Sequence, residues 1–221
     1  ILAFYNDDDS RPISKNLPNN LHVFRTSINR EFQKNNEHAL PAWSADLLGD
    51  CNSISIRDKK DKPVVSFCGA LTHPCRLHAI NTLANNDKIK TSFIIRNSFW
   101  GGNIHDPILR EEYINNMRES DIVLCCRGAG NFSFRLYECM SLGKIPLILD
   151  TDLVLPCSDV IDWEKTFIIT QGDDINNVVN TFWENIQPTY YEKLQKHTRY
   201  LYNSLISPAG LTRYISKCKI I

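Results

Sequence analysis

The stretch from Asp121 to Pro156 constrains the fold of this chain more than any other. It opens with an apolar run, Ile122 to Cys126, which polar residues flank as they flank a buried strand. A glycine-bearing turn follows at residues 127–131, and a segment with apolar residues at mostly helical spacing then ends at Gly143. The apolar run Ile145 to Leu149 comes last. This order predicts a parallel βαβ unit, and such units bind ligands outside the carboxyl ends of their strands.

The turn and the start of the predicted helix favour an anion. A helix that begins near Phe132 or Ser133 leaves its first N–H groups unpaired and presents the positive end of its dipole. Gly128 and Gly130 allow the backbone to approach an anion closely. The polar side chains in and beside this turn, which are the candidate ligands of phosphate oxygens, are Arg127, Asn131, Ser133 and Arg135.

A carboxylate lies one helical turn further on. Glu138 is three residues beyond Arg135 and therefore on the same face of the predicted helix. A carboxylate in this position suits the two hydroxyl groups of a ribose, so the whole segment is interpreted as a nucleotide diphosphate site. Two plainer interpretations stay open, namely glycines that serve only the geometry of the turn and a surface pair of Arg135 with Glu138.

The same residues carry a resemblance to a known family. The pattern Arg127-Gly-x-Gly-Asn-x-Ser-x-Arg135-x-x-Glu138, then Gly143-x-Ile145-Pro146 and the stretch Asp150 to Pro156, resembles the exostosin family of glycosyltransferases. The upstream Phe67-Cys68-Gly69, followed by Arg76, resembles the start of that family's donor-binding domain. The resemblance is dense over about residues 63 to 165 and thin elsewhere.

The resemblance implies an α/β fold of the GT-B type, in which two Rossmann-like domains face a cleft and a C-terminal helix crosses back to the first domain. It implies inverting transfer of a sugar from a nucleotide sugar, usually a UDP-sugar, to a glycan acceptor, with no obligatory metal or other cofactor. Carried over by position, the residues expected to hold the diphosphate are Arg76, Arg127, Ser133 and Arg135. Glu138 would hold the ribose, and Asp150 and Asp152 would lie near the sugar.

The expected domain organisation follows from the same family resemblance. We expect an acceptor-side domain over residues 1–60, a donor-binding domain over 61–187 and a crossing helix within 188–221. The charged run from Arg57 to Pro63 is predicted to connect the domains, with a surface turn inside one domain as the alternative. The amphipathic pattern from Tyr190 to Ile206 predicts one long terminal helix.

The catalytic base is expected on the acceptor side. Asp8, Glu37 and Asp46 are the candidates, and the sequence does not choose among them. Residues Glu37 to Trp43, which include Pro41, are predicted to form an ordered loop.

Composition limits the partners and the setting. Lysine plus arginine and aspartate plus glutamate are 25 each, so no basic excess argues for nucleic acid or an anionic membrane. No apolar stretch reaches the roughly 18 residues of a membrane span. Three of the eight cysteines, Cys68, Cys125 and Cys126, fall in apolar strand patterns and are expected to be buried thiols. We therefore expect a cytoplasmic protein, or one of the Golgi lumen if an N-terminal anchor precedes Ile1.

Two other functions stay open at this point. Asp150-Thr151-Asp152 has the D-x-D form with which metal-dependent GT-A transferases hold Mn²⁺, although here it follows the glycine turn. The second alternative is that the chain is a non-catalytic nucleotide- or glycan-binding subunit that accompanies an active enzyme. The sequence leaves the oligomeric state open.

Overall fold

The first part of the chain forms a small parallel sheet. The computed structural model describes residues 1–6, 11–13, 18–49 and 53–217. Strands β1 (Leu2–Tyr5), β2 (His22–Arg25) and β3 (Glu37–Ala39) pair side by side in that order. The loop predicted over Glu37 to Trp43 is wrong at its start, because the backbone of its first three residues extends and pairs with β2.

The second sheet has five parallel strands in the order β5-β4-β6-β7-β8. These strands are β4 (Val64–Ala70), β5 (Lys90–Arg96), β6 (Ile122–Cys125), β7 (Ile145–Leu149) and β8 (Ile168–Thr170). Every residue of β6 and β7 is buried, as their unbroken apolar runs predict. The chain adds β5 on one side of β4 and β6 on the other, so the switch point of the sheet lies between β4 and β6.

Helices cover both faces of this sheet. They are α1 (Pro74–Ala84), α2 (Pro107–Arg118), α3 (Phe134–Ser141), α4 (Trp163–Thr166), α5 (Ile175–Asn185), α6 (Pro188–Leu201) and α7 (Pro208–Lys217). One core cluster packs α3 and the end of α6 against one face, with Met140 and Leu201 at its centre. The other packs α1 and α5 against the opposite face, with Leu83 and Val179. The order of elements and the two cores make a doubly wound α/β sheet.

The central βαβ unit forms where the sequence predicts it. Helix α3 follows the glycine turn, and Gly143, just beyond the helix, has a φ of +68°, as expected after a helix end. A side chain at Gly143 would also place a Cβ 2.9 Å from the backbone oxygen of Gln195. Glycine is therefore required there both by conformation and by the close approach of α6.

The C-terminal helices cross back to the first part of the chain. Asp46 accepts hydrogen bonds of 2.7 and 2.8 Å from the guanidinium of Arg199, and Tyr202 and Leu211 line a small pocket with residues 41–44. This crossing is confirmed, although the single predicted helix from Tyr190 to Ile206 is not. Helix α6 ends at Leu201, a π-helical turn spans Tyr202–Ile206, and α7 follows as an element that the sequence did not predict.

The two sheets share packing and backbone contacts. Phe24 and Leu40 belong to the same core cluster as Val123 of β6, and Asn29 forms an isolated antiparallel bridge with Leu153. The predicted connection at residues 57–63 is held in place, since Arg57 bonds through its backbone to the side chain of Gln195. The domain boundaries at residues 60 and 187 stay a prediction. Of the helices in the described ranges, none is long and apolar enough to cross a membrane.

Candidate active site

A cavity of about 370 Å³ opens at the carboxyl ends of β4, β5 and β6. This is the switch point of the sheet, where open α/β sheets bind their ligands. One wall consists of the end of β4, the glycine turn and the start of α3. The opposite wall consists of the segment 99–104 and the exposed side of α2. The walls include Gly69, Arg76, Arg96, Trp100, Arg110, Gly128, Gly130, Ser133, Phe134 and Arg135.

The N-terminus of α3 is open toward this cavity. Ser133 occupies the N-cap position with an extended backbone, but its side chain makes no capping hydrogen bond. The first N–H groups of the helix therefore lack the side-chain acceptor that an N-cap serine ordinarily supplies. An anionic ligand in the cavity would fill that role, with the helix dipole in its favour.

Arg135 brings a buried positive charge to the same place. Its side chain is 7% exposed, and its guanidinium lies 4.3 Å from the centre of the Phe67 ring. Nη2 donates to the carbonyl oxygen of Cys68, whereas Nε has no hydrogen-bond partner among the described residues. Within those residues no carboxylate lies at ion-pair distance from Arg135. A buried guanidinium with an unused donor at a cavity wall is suited to an anionic ligand.

The contacts around Gly69 explain why the pattern Phe67-Cys68-Gly69 ends in glycine. A Cβ on this residue would lie 2.8 Å from Nη2 of Arg135, closer than unbonded atoms approach. Phe67 supplies the ring beneath the guanidinium, so Phe67 and Gly69 together shape the seat of Arg135.

Arg76 fixes the carbonyl ends of the two strands that flank the switch point. Its Nε donates to the oxygen of Arg127 and its Nη1 to the oxygen of Ala70, both at 2.7 Å, and its Nη2 donates to Cys126 at 3.3 Å. Burial lowers the pKa of Arg76, but an arginine remains protonated near neutral pH. The residue therefore both shapes the cavity and adds positive charge to its wall, and Gly128 leaves room for it.

Two predicted diphosphate ligands have other contacts. Arg127 does not line the cavity, and its Nη2 donates to the oxygen of Ala129 at 3.0 Å. The side-chain amide of Asn131 donates to Asn29 and to the carbonyl oxygen of Thr151, so Asn131 joins the glycine turn to the first part of the chain. Roles for Arg127 and Asn131 at the diphosphate stay predictions.

Glu138, the predicted ribose ligand, lies behind the cavity wall. It is 4% exposed, and its Oε1 accepts hydrogen bonds from both Nη atoms of Arg110 at 3.2 Å. Its Oε2 accepts from the hydroxyl of Tyr113, and burial raises the pKa of that hydroxyl well above its ordinary value. The carboxylate thereby positions Arg110, which does line the cavity and which the sequence did not single out. Contact of Glu138 with a ribose stays a prediction.

Asp150 and Asp152 face the first part of the chain. Arg30 contacts Asp150 at 2.8 Å and Asp152 at 3.2 Å, and its backbone N–H donates to the oxygen of Asp152. Asp150 and Arg30 line a second cavity, of about 600 Å³, that extends toward Trp163. Arg30 was not predicted, because no local sequence pattern marks it. The predicted contact of both carboxylates with the donor sugar stays a prediction.

The candidate bases differ in what the structure describes. Glu37 is 2% exposed and accepts from Arg25 at 3.1 Å and from the backbone N–H of Lys34 at 2.8 Å. Asp46 is paired with Arg199, and neither carboxylate lines the 370 Å³ cavity. Asp8 lies outside the described residues. The identity of the base stays open.

The cysteine at the end of β6, Cys126, is buried beside the site. Burial raises the pKa of its thiol to about 12, so this thiol stays protonated. The expected burial of Cys68, Cys125 and Cys126 is confirmed. In the described part of the chain, no cluster of three or more His, Cys, Asp or Glu side chains is close enough to hold a metal ion.

Solved structures with little sequence identity share the fold. A glycosyltransferase from Rickettsia africae ESF-5 is 12% identical, with a TM-score of 0.54 over 92% of this chain and 67% of that one. A TarM variant from S. aureus, solved in complex with Fondaparinux, alpha-GlcNAc-glycerol and UDP, is 10% identical, with a TM-score of 0.51 over 88% of this chain and 43% of that one. The predicted GT-B-like α/β fold is thereby confirmed.

Curated relatives match shorter stretches. The "Probable glucuronosyltransferase GUT1" of Oryza sativa subsp. japonica is 37% identical over 65 residues, which are 29% of this chain and 16% of the rice protein. The "Probable beta-1,4-xylosyltransferase IRX10L" of Arabidopsis thaliana is 31% identical over 99 residues, which are 45% of this chain and 23% of that protein. Each matched stretch thus spans less than a quarter of the relative's length.

A family model extends over most of the chain. The model described as the Exostosin GT47 domain matches residues 3–184, from β1 to the end of α5. The match includes the open N-terminus of α3 and all four arginines that line the cavity, Arg76, Arg96, Arg110 and Arg135. This chain belongs to the exostosin GT47 family of glycosyltransferases.

Proposed function

We propose that this chain is a glycosyltransferase that moves a sugar from a nucleotide sugar, a UDP-sugar, to a glycan hydroxyl with inversion and without a metal ion. The observation that carries the proposal is the cavity at the switch point between β4 and β6. There an open helix N-terminus, a glycine turn and the buried Arg135 meet, and this combination suits a diphosphate.

The charges support a role in departure of the diphosphate. In the transfer, the bond between the anomeric carbon and the β-phosphate oxygen breaks, and a bond to the acceptor oxygen forms. The acceptor proton passes to a carboxylate base, and negative charge accumulates on the leaving diphosphate. Arg135, Arg76 and the α3 N-terminus are fixed before the reaction, so they stabilise that charge without reorganisation.

Uridine is proposed as the nucleoside. Support comes from the TarM structure, which was solved in complex with UDP, and from the family resemblance. The curated relatives are named for transfer of glucuronic acid and xylose, so one of these two sugars is the first to test.

The contacts of the D-x-D motif favour a metal-independent reaction. Arg30 contacts both carboxylates, and its guanidinium partly neutralises the charge that a GT-A enzyme would offer to Mn²⁺. A GT-A enzyme also has a different fold from the one found here. These two observations weigh against the metal-dependent alternative.

The test is donor binding and turnover by the purified chain. We expect calorimetry to detect UDP more strongly than GDP or CMP, and transfer from a UDP-sugar to continue in excess EDTA. Arg135→Ala should lower turnover by about two to three orders of magnitude. Arg118→Ala is the matched control, since Arg118 is exposed and its side chain bonds to Asn115.

Three results would contradict the proposal. If the chain did not bind UDP, the proposed donor site would be wrong. If turnover stopped in EDTA, the proposed metal independence would be wrong. Binding of UDP without transfer or hydrolysis would favour the non-catalytic alternative.

A further inference from the structure

The cavity at the switch point has two chemically different ends. The glycine turn, the α3 N-terminus and Arg135 make one end cationic. The other end is mainly aromatic and apolar, with Phe99, Trp100 and Ile104 in its lining. The arginines on that side, Arg96 and Arg110, are paired with Glu112 and Glu138. A ligand that fills the whole cavity therefore carries an anionic part and a flat or apolar part.

Trp100 is the most conspicuous residue of the aromatic end. It is 45% exposed, and its ring centre lies 6.4 Å from that of Phe134, the first residue of α3. Phe134 in turn packs edge-on against Phe132 at 5.3 Å. An exposed indole beside a second ring at the mouth of a cavity is apolar surface that the fold leaves uncovered.

The backbone of Trp100 is held in an unusual conformation. Its φ of 56° and ψ of 15° lie in the left-handed region, which is costly for an aromatic residue. The turn is packed rather than loose, because a Cβ on the next residue, Gly101, would lie 2.8 Å from Leu109 of α2. The packing of the turn against α2 thus fixes the indole at the cavity in spite of the strain.

The direction of the donor decides which part of it reaches Trp100. In a nucleotide sugar the diphosphate lies between the sugar and the nucleoside. The first sheet, which supplies the acceptor side, meets the second sheet beyond β7, where Asn29 pairs with Leu153. The turn that carries Trp100 lies at the opposite edge, against β4 and β5. With the diphosphate at α3 and the sugar toward the first sheet, the nucleoside points to Trp100.

We infer that Trp100, supported by Phe134, is the platform on which the base of the nucleotide donor stacks. This inference rests on the proposed function and adds to it the orientation of the donor and a residue that binds the base. Aromatic side chains bind bases through their π faces, whichever base is present. Trp100 therefore supplies affinity for the nucleoside, and it does not by itself distinguish uracil from other bases.

The experiment compares two probes in three variants. UDP tests both ends of the cavity, and inorganic pyrophosphate tests the cationic end alone. The variants are Trp100→Ala, Trp100→Phe and, as the matched control, Trp43→Ala, because Trp43 is 59% exposed and lies away from this cavity. Calorimetry gives the dissociation constants, and circular dichroism checks that each variant is folded.

We expect Trp100→Ala to raise the dissociation constant of UDP about tenfold to a hundredfold. The dissociation constant of pyrophosphate should stay within twofold of the wild-type value. Trp100→Phe should retain most of the UDP affinity, and Trp43→Ala all of it. Binding of UDP should quench tryptophan fluorescence in wild type and in Trp43→Ala, but much less in Trp100→Phe.

Other outcomes would overturn the inference. Unchanged UDP affinity in Trp100→Ala would show that the base does not stack on Trp100, and the proposed function would still stand. Equal loss of UDP and pyrophosphate would assign Trp100 a purely structural role. If wild type bound no UDP, the proposed function itself would fail, and the inference with it.

Discussion

Two of the arginines that line the cavity, Arg76 and Arg135, differ from the paired arginines of the molecule. The other two in its lining, Arg96 and Arg110, contact Glu112 and Glu138. Arg25, Arg57 and Arg199 each contact a carboxylate at 2.7 to 3.1 Å. Arg76 and Arg135 instead contact backbone carbonyl oxygens and the Phe67 ring, and within the described residues neither has an acidic partner at ion-pair distance. The paired arginines link elements of the fold. In the part of the chain that the structure describes, Arg76 and Arg135 have no such partner at ion-pair distance, although the more distant Glu138 is among the groups that raise the pKa of Arg135.

This difference shows where an anion belongs. A buried cation is costly unless a negative group accompanies it, and removing one partner of a buried pair is more damaging than replacing an unpaired charge with an apolar group. At the cavity wall, an anionic ligand would supply this group to Arg76 and Arg135. Substitutions at the paired Arg25, Arg57 and Arg199 should therefore mainly change stability, and substitutions at Arg135 should mainly change binding.

The largest effect is expected at the buried pair of Arg25 and Glu37. Glu37→Ala should lower the free energy of unfolding by about 3–5 kcal/mol, because the buried carboxylate accepts hydrogen bonds from Arg25 and from the backbone N–H of Lys34, and both are lost. Urea denaturation measures the change, and Glu31→Ala, at an exposed position, serves as the control. A loss below 1 kcal/mol would mean that Glu37 does not stabilise the fold and would return it to consideration as the base.

The converse is expected at Arg135. Arg135→Met should raise the dissociation constant of UDP by about one to two orders of magnitude, since it removes a charged hydrogen-bond donor to the diphosphate. The melting temperature should stay the same or rise, because an apolar side chain replaces a buried charge that lacks a carboxylate. Calorimetry and thermal unfolding measure the two quantities, with Arg118→Met as control. An Arg135→Met variant with a much lower melting temperature that still binds UDP would show that Arg135 serves stability and not binding.

Lys144 extends the comparison to a cation far from the cavity. It is 1% exposed, its Nζ has no hydrogen-bond partner in the described part of the chain, and burial with the nearby Arg57 lowers its pKa to about 8. Between pH 8 and the ordinary lysine pKa of about 10.4, the unfolded chain binds a proton that the folded state has lost, so stability rises with pH.

Lys144→Met should remove this rise and stabilise the protein at pH 7 by about 1–3 kcal/mol. Urea denaturation at pH 7 and at pH 9.5 measures both effects, and Lys193→Met, at an exposed position of α6, is the control. Equal pH profiles for wild type and Lys144→Met would show that Lys144 keeps an ordinary pKa in the folded state.

The smallest effect is expected at the exposed pair of Asp46 and Arg199. Asp46→Asn should cost about 0.2–1 kcal/mol, since the Asp46 side chain is 38% exposed and solvent screens the pair. Turnover should persist if Asp46 only attaches α6 to the first part of the chain. A folded Asp46→Asn variant without turnover would instead identify Asp46 as the base.

Local patterns predicted the central unit well. Strands β6 and β7 and helix α3 follow from two apolar runs and a glycine turn, because burial of contiguous apolar residues decides these elements. The open N-terminus of α3 and the position of Arg135 at the cavity follow from the same segment.

Contacts between distant segments were not predictable in this way. Arg30 and Asp150 are 120 residues apart, and Arg110 and Glu138 are 28 apart, so no spacing in the sequence marks either pair. Strand β3 has three residues and exists because β2 lies beside it. Its formation depends on tertiary pairing rather than on a pattern of its own.

The most direct measurement is a crystal structure of the chain with UDP. We expect phosphate oxygens within hydrogen-bond distance of the Arg135 guanidinium and of the backbone N–H groups at the start of α3. UDP in the cavity between Arg30 and Trp163, or a diphosphate without contact to Arg135, would contradict this expectation.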